Sequence, residues 1–135
     1  MALLRKVIET EEAPKAIAQY SQAIMYTPLS LDSKLVFTAG MIGMNPLTGE
    51  LVEGGIVAET ERTMENLRAV LQAAFTSFER VIKVTIYLAD INDYPMVNKI
   101  YARYIGEKPP ARSAVQVTAL PMGALVEIEC IAAAS

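Results

Sequence analysis

Apolar and polar residues alternate in several short stretches of the chain, and this period of two is typical of half-buried β-strands. The clearest stretch is 80–89, in which Ile82, Val84, Ile86 and Leu88 share one side, and its length indicates an interior strand. The same alternation predicts strands at 4–8, at the end of 16–26, and at 34–40, 112–118 and 126–130. Turn-forming residues separate these stretches, so the sequence predicts six strands.

Two other stretches have apolar residues at spacings of three and four, the pattern of an amphipathic helix. The first runs from Ile56 to about Ala74, and charged residues cover the rest of its surface. The second follows Asp90, a residue suited to cap a helix N-terminus. One face of this second helix is predicted to carry Tyr94, Val97, Asn98, Tyr101 and Ile105.

The predicted order of elements is therefore β-β-β-α-β-α-β-β. Six strands with two helices favour an α+β two-layer sandwich, in which a mixed six-stranded sheet carries both helices on one face. With 135 residues and no repeat or linker-like segment, the chain fits a single domain over 1–135. The opposite face of the sheet needs covering and 53% of the residues are hydrophobic, so we expect self-association.

The apolar runs and the first residues of the chain indicate where in the cell the protein is expected. No apolar run approaches the roughly 20 residues of a membrane-spanning helix, so no membrane partner is expected. Residues 1–9 lack the long apolar segment and cleavage site of a signal peptide, and they are not rich in Arg and Ser as a mitochondrial presequence would be. We therefore expect a cytoplasmic protein, with a mitochondrial one as the alternative.

Composition excludes several kinds of chemistry. The chain has no histidine and a single cysteine, Cys130, whose apolar neighbours favour a buried structural thiol. Without histidine there can be no Ser-His-Asp triad, histidine-ligated zinc or imidazole acid–base catalysis, and we expect no metal. The net charge of -3 argues against a nucleic-acid partner, since such binding depends largely on clustered Lys and Arg.

Arg112, Glu127 and Glu129 are the main candidate chemical groups that remain. Two prolines precede Arg112, which begins a strand with Val115 and Val117 on its predicted core side. A guanidinium and two carboxylates are thus predicted on two neighbouring strands, each with an apolar side committed to the core. On this evidence an enzyme and a binding module are equally favoured.

Three further residues are candidates on their chemistry alone. Tyr20 can hydrogen-bond at the rim of a pocket, although a packed ring with its hydroxyl in water is the commoner role. Gly40 ends a strand, where backbone can approach a ligand closely. Asn98 is a polar residue on the inner face of the second helix, either a buried hydrogen-bonding anchor or a site residue.

A series of motifs runs almost from end to end of the chain. The weaker ones include Ala13-Pro14-Lys15-Ala16-Ile17, Tyr20-Ser21-Gln22-Ala23 and Leu88-Ala89-Asp90-Ile91-Asn92-Asp93-Tyr94. The most specific are Pro110-Ala111-Arg112-Ser113 and the run from Leu120 to Glu129. Each is weak by itself, but in their joint order and spacing they resemble the YjgF/Rid family of imine deaminases.

This resemblance implies a chorismate-mutase-like α+β fold that assembles as a homotrimer, with sites in the clefts between subunits. It also implies that reactive 2-imino acids are hydrolysed to 2-oxo acids and ammonia, which limits metabolite damage. The family needs no metal or cofactor, so a chain without histidine can still be such an enzyme.

The resemblance also assigns roles to individual residues. Arg112 would hold the substrate carboxylate through its planar guanidinium, with help from the backbone N–H of Ala114. Glu127 would position and deprotonate the attacking water, and Tyr20 would be the pocket tyrosine of the catalytic group. The other substrate-binding positions would be Ala39, Gly40, Tyr94 and Asn98.

The chain departs from the family pattern around one wall of the pocket. The usual Ser-Gly-Gln-Ile-Pro is replaced by the run 39–43, where Ala39 lacks the serine hydroxyl that contacts the site in deaminating members. The usual Gly-Pro before the tyrosine is Ala18-Gln19, and the connection containing 27–33 is about six residues longer. Phe75 stands where a glycine commonly ends the first helix.

Three functions remain open on these observations. Arg112 and Glu127 favour a 2-imino acid deaminase. Ala39, Met41 and the longer loop favour a trimer that binds a small carboxylate or a protein partner without turnover. An endoribonuclease, an activity sometimes ascribed to the family, is disfavoured by the acidic charge and the missing histidine.

Overall fold

A computed structural model of the chain describes residues 5–27 and 34–135. Its strands are β1 (Arg5–Ile8), β2 (Ala23–Tyr26), β3 (Lys34–Thr38), β4 (Val81–Leu88), β5 (Ala111–Gln116) and β6 (Val126–Ala134). Its α-helices are α1 (Gly55–Ala73), between β3 and β4, and α2 (Tyr94–Tyr104), between β4 and β5. The predicted order of elements is confirmed. Apart from Thr27, the longer loop predicted at 27–33 lies outside the described residues.

The six strands form one mixed sheet in the order β1-β2-β3-β6-β4-β5. All neighbouring strands are antiparallel except β4 and β5, which are parallel because α2 carries the chain back across the sheet between them. The predicted mixed sheet of an α+β fold is confirmed, and β4 is an interior strand as predicted.

The core lies between one face of the sheet and the two helices. Every second residue of β6 from Val126 to Ala134 is buried, and these side chains pack with the inner residues of α1, such as Leu67 and Val70. The alternation of β6 therefore commits one of its faces to the helices. Within the described residues no helix is both long and apolar enough to cross a membrane.

The other face of the sheet, which we call the open face, is apolar and exposed. Val7, Ile24, Phe37 and Ile131 are in register across β1, β2, β3 and β6, so their side chains share this face. Val7 is 49% exposed and Phe37 is 43% exposed, which is unusual for a contiguous apolar row. The uncovered face predicted from the sequence is present in the single chain.

Two predictions about β5 are wrong. It is not a neighbour of β6, because β4 lies between them. Its core side is also inverted: Arg112 and Ala114 pair with the buried residues Val84 and Ile86, whereas Val115 is 44% exposed on the open face. The reason is that β5 is an edge strand whose register is set by β4, so α2 covers the side that carries Arg112.

Candidate functional site

Arg112 is held by residues of α2. Its Nη1 donates a hydrogen bond of 2.8 Å to Oδ1 of Asn98, and its Nη2 donates to the hydroxyl oxygen of Tyr94. The guanidinium also lies 4.9 Å from the ring centroid of Tyr101, close enough for a cation–π contact. These contacts fix the plane of the guanidinium, so Tyr94 and Asn98 position Arg112.

The helical spacing of α2 explains this arrangement. Tyr94, Asn98 and Tyr101 are separated by four and three residues, so they share the face of α2 that packs over β5. The hydroxyl of Tyr101 is buried and has no hydrogen-bonding partner among the described residues, and burial raises the pKa of Tyr101. Ala114, two residues after Arg112 on the same side of β5, lines an open depression with Arg112 and Tyr94. We call these residues, Arg112, Tyr94, Asn98, Tyr101 and Ala114, the arginine group.

Glu127 lies on the open face of β6 and is half-buried. Burial is the main cause that raises the pKa of Glu127, and the nearby Glu129 carboxylate raises it further. Within the described residues the Glu127 carboxylate accepts no hydrogen bond. Glu129 differs, because its Oε1 accepts a 2.8 Å hydrogen bond from the hydroxyl of Tyr87.

Gly40 packs directly against this carboxylate. A Cβ atom at position 40 would lie 1.9 Å from Oε2 of Glu127 and 2.8 Å from its Cδ, so a side chain there would displace the carboxylate. The backbone is anchored one residue further on, where Met41 and Ile128 exchange two hydrogen bonds of 2.8 and 2.9 Å. Gly40 is therefore where the backbone approaches closest to the candidate catalytic group.

A cavity of about 370 Å³ opens beside Glu127. Tyr20, Ala39 and Gly40 line it together with Pro121 and Met122. The Tyr20 hydroxyl accepts a long hydrogen bond of 3.4 Å from the N–H of Ile17, and its ring is 48% exposed. We call this set, Glu127 with Tyr20, Ala39 and Gly40, the glutamate group.

Two buried amides hold the walls of this cavity. Oε1 of Gln22 accepts from the N–H of Thr10 at 2.7 Å, and its Nε2 donates to the carbonyl of Pro14 at 2.7 Å. Nδ2 of Asn66, on α1, donates to the carbonyls of Ile42 and Met44 at 2.9 and 2.8 Å. Neither amide was predicted as a site residue from the sequence, and Tyr101 was predicted only on the inner face of the second helix.

The arginine group and the glutamate group do not meet within one chain. Arg112 lies on the helix-covered side of β5, because it pairs with the buried residue Val84. Glu127 pairs with Tyr87 on the open side of β4. The prediction that the guanidinium and the carboxylates lie together on adjoining strands is thus wrong for a single chain. Within the described residues there is also no cluster of three or more side chains suited to bind a metal ion.

Within the described residues, the α+β sheet thus has one open apolar face, a positioned arginine and a carboxylate without a hydrogen-bonding partner, which together define a candidate small-molecule site. The family model described as Endoribonuclease L-PSP matches residues 10–134, and the chain belongs to this family, also called YjgF/Rid. The resemblance inferred from the motifs is confirmed.

Three similar proteins show the range of names within this family. The chain is 47% identical to Protein DfrA of Myxococcus xanthus, covering 96% of each chain. It is 45% identical to a 2-iminobutanoate/2-iminopropanoate deaminase of Rattus norvegicus, covering 97% of this chain and 91% of that one. A solved structure of a Rid-family protein of unknown function from Yersinia pestis is 46% identical, with a TM-score of 0.87 over 95% of this chain and 98% of that one.

Proposed function

We propose that this protein is a cofactor-independent deaminase that hydrolyses 2-imino acids to 2-oxo acids and ammonia. The observation that carries the proposal is the Glu127 carboxylate, half-buried beside a cavity, without a hydrogen-bonding partner among the described residues, and raised in pKa. A carboxylate in this state can accept a proton from water near neutral pH. Relatives at about 45% identity that carry the deaminase name support the same reaction.

Arg112 supplies recognition of the substrate carboxylate. Its side chain is already oriented by Asn98 and Tyr94, so little conformational entropy is lost when a ligand binds. The remaining N–H groups of the planar guanidinium suit bidentate pairing with a carboxylate. The backbone of Ala114 lies beside it, on the same side of β5.

Hydrolysis then needs one water and one proton carrier. Glu127 takes a proton from the water as its oxygen bonds to the imine carbon, and it passes this proton to the imine nitrogen, which gives a neutral carbinolamine. Glu127 then takes the proton of the carbinolamine hydroxyl and passes it to the amine nitrogen, so the C=O bond forms as the C–N bond breaks and ammonia leaves. We expect the main catalytic contribution to come from holding the water and the imine in the correct relative position beside the Glu127 base.

A complete site requires two chains, since the arginine group and the glutamate group lie on opposite faces of the sheet. We propose that the open face packs against a neighbouring copy in a homotrimer. The cavity of one chain would then face the arginine group of the next. The exposed row that includes Val7 and Phe37 supports such a contact.

A second candidate function is binding of a small carboxylate without turnover. It rests on Ala39, which lines the cavity next to Gly40 with a methyl group in place of the family's serine hydroxyl. One missing hydrogen bond costs about 1–3 kcal/mol where a buried partner stays unsatisfied, which would slow turnover more than it would prevent binding.

The decisive experiment follows the imine released from threonine by a threonine dehydratase. We expect the purified protein to accelerate loss of this imine, and Glu127→Gln to lower kcat/KM at least about 100-fold. Arg112→Ala should raise KM strongly, because it removes carboxylate binding. Arg103→Ala, on the exposed surface of α2, and Glu61→Gln, on the exposed surface of α1, are the matched controls.

A wild-type rate equal to that of Arg112→Ala would refute the deaminase. Circular dichroism of each variant checks that the fold is kept. The same preparations incubated with RNA test the name of the family model, and cleavage that depends on Arg112 would favour an endoribonuclease instead.

A further inference from the structure

We propose that the cavity beside Glu127 is a side-chain subsite that selects 2-imino acids with apolar side chains about as large as that of leucine. This inference rests on the proposed function and adds the substrate class to it. The volume of the cavity, about 370 Å³, lies within the roughly 300–1,000 Å³ typical of small-molecule sites. An ethyl or methyl side chain would leave most of that space empty.

The lining of the cavity is mostly apolar. Ile17, Ala18, Ile42 and Met44 line it together with Pro121 and Met122. The methyl group of Ala39 extends the same surface up to Gly40, next to the Glu127 carboxylate. An apolar side chain attached to the reacting carbon would therefore continue from the catalytic carboxylate onto apolar surface, which favours its burial.

The polar side chains of the cavity offer little to a polar substrate. They belong to Tyr20, Gln22 and Glu127. The Gln22 amide is occupied on both sides, since Oε1 accepts from Thr10 and Nε2 donates to the carbonyls of Thr10, Ala13 and Pro14. Glu127 would repel an acidic side chain, and an amide side chain would lose hydrogen bonds with water without full replacement.

Two walls of the cavity are anchored before a ligand arrives. Gln22 ties the segment that leads to Ile17 and Tyr20, and Asn66 ties the backbone at Ile42 and Met44 to α1. Because both anchors are buried, the opposing walls cannot close readily around a smaller side chain. A short side chain would thus leave unfilled volume, and the selectivity follows from this rigidity.

Met122 is the adjustable part of the lining. It is 49% exposed and has a φ of 59°, a left-handed conformation that costs energy in a residue with a side chain. The turn at Pro121–Gly123 holds Met122 at the mouth of the cavity. A strained, half-exposed methionine at this position is consistent with a role in contacting the ligand.

A panel of imines tests the subsite. D-amino acid oxidase produces the 2-imino acids of D-alanine, D-leucine and D-asparagine in the assay mixture. Semicarbazide traps the imine that the protein has not hydrolysed. Leucine and asparagine have side chains of the same shape and different polarity. We expect kcat/KM for the leucine imine to exceed that for the other two at least about tenfold.

The variant Met122→Gln keeps the length of the side chain at the same backbone position. It should lower the ratio of kcat/KM for the leucine imine to kcat/KM for the asparagine imine about tenfold. Met96→Gln is the matched control: Met96 is 41% exposed on α2 and is not part of the cavity lining, so this variant should leave the ratio unchanged. Equal effects of the two variants would overturn the assignment of the subsite.

The outcomes separate the subsite from the deaminase function. Turnover that depends on Glu127 but is as fast for alanine as for leucine would overturn the subsite alone. If no imine is hydrolysed, the deaminase fails, and calorimetry with the matching 2-oxo acids decides the subsite. Binding of 4-methyl-2-oxopentanoate at least about tenfold tighter than 2-oxopropanoate would support the subsite, and equal or absent binding would overturn it.

Discussion

Glu127 and Glu129 lie two residues apart on β6, and both side chains project from the open face of the sheet. Their surroundings nevertheless differ. The Glu129 carboxylate accepts a hydrogen bond from Tyr87, which raises the pKa of Tyr87, whereas Glu127 lies beside the cavity and against Gly40. A carboxylate without a hydrogen-bonding partner among the described residues is the better proton acceptor for a water. In the proposed reaction Glu127 is therefore the reacting group and Glu129 a neighbouring charge.

This difference predicts the pH dependence of the reaction. Deprotonated Glu127 is the active form, so kcat/KM should fall as the pH drops through the pKa of Glu127, with a midpoint above the ordinary value of 4.5. Because Glu129 contributes to the raised pKa, Glu129→Gln should move the midpoint to lower pH. Rates corrected for uncatalysed hydrolysis between pH 4 and 8 measure both midpoints.

The raised pKa of Glu127 also predicts how the stability of the folded chain changes with pH. The folded chain holds the Glu127 proton more tightly than the unfolded chain does, so the wild type should lose stability relative to Glu127→Gln as the pH rises through this window. Denaturation midpoints of the two proteins at several pH values measure the difference. A constant difference across the window, or a rate midpoint at or below 4.5, would contradict the assigned pKa.

At the scale of elements, the sequence pattern predicted where strands and helices form but not how they pair. The alternation in 112–118 correctly separates Arg112 and Ala114 from Val115. It cannot tell which of the two sets faces the core, because both sets contain small or apolar residues. That choice depends on β4, whose register with β5 is a contact between distant parts of the chain.

The candidate site was also predicted only in part from the sequence. Motif resemblance selected residues that do line a cavity or hold Arg112, such as Gly40, Glu127 and Tyr94. The residues that hold the walls, Gln22 and Asn66, were not recognised, because their hydrogen bonds reach residues 8 to 24 positions away. Local periodicity contains no information on contacts at that range.

The C-terminus of α1 offers a test at the scale of one element. Phe75 follows the last turn with a φ of 61°, and the N–H groups of Phe75 and Thr76 donate to the carbonyls of Gln72 and Leu71. This double hydrogen bond is a Schellman cap, in which glycine is preferred because a left-handed residue costs about 1–2 kcal/mol. Phe75 is 77% exposed, so its ring gains little from burial in the chain.

Phe75→Gly should therefore stabilise the protein by about 1 kcal/mol and raise Tm by about 3–5 °C, after the entropy that glycine loses on folding. Phe75→Ala is the matched control, since it removes the ring but keeps the strained Cβ, and its Tm should change little. Differential scanning calorimetry measures both variants. If the glycine variant is no more stable than the alanine variant, the left-handed conformation of residue 75 does not carry the cost assigned to it.

For the whole molecule, the apolar open face and the separation of the two groups have one explanation in common. The sheet separates the arginine group from the glutamate group, so a single chain presents each as half of a site. Packing the open face against another copy would bury the row that includes Val7 and Phe37 and bring unlike groups from two chains together. Assembly and catalysis would then depend on the same surface.

Subunit mixing tests this explanation. Arg112→Ala and Glu127→Gln should each be nearly inactive alone, but their co-expressed mixture should regain about a quarter of the wild-type activity, because some sites then join two intact halves. Two affinity tags isolate mixed assemblies, and native mass spectrometry counts their subunits. Co-expression of Glu127→Gln with the double variant is the control and should regain nothing. A mixed assembly without activity would refute a site shared between chains, and an active monomer would refute it equally.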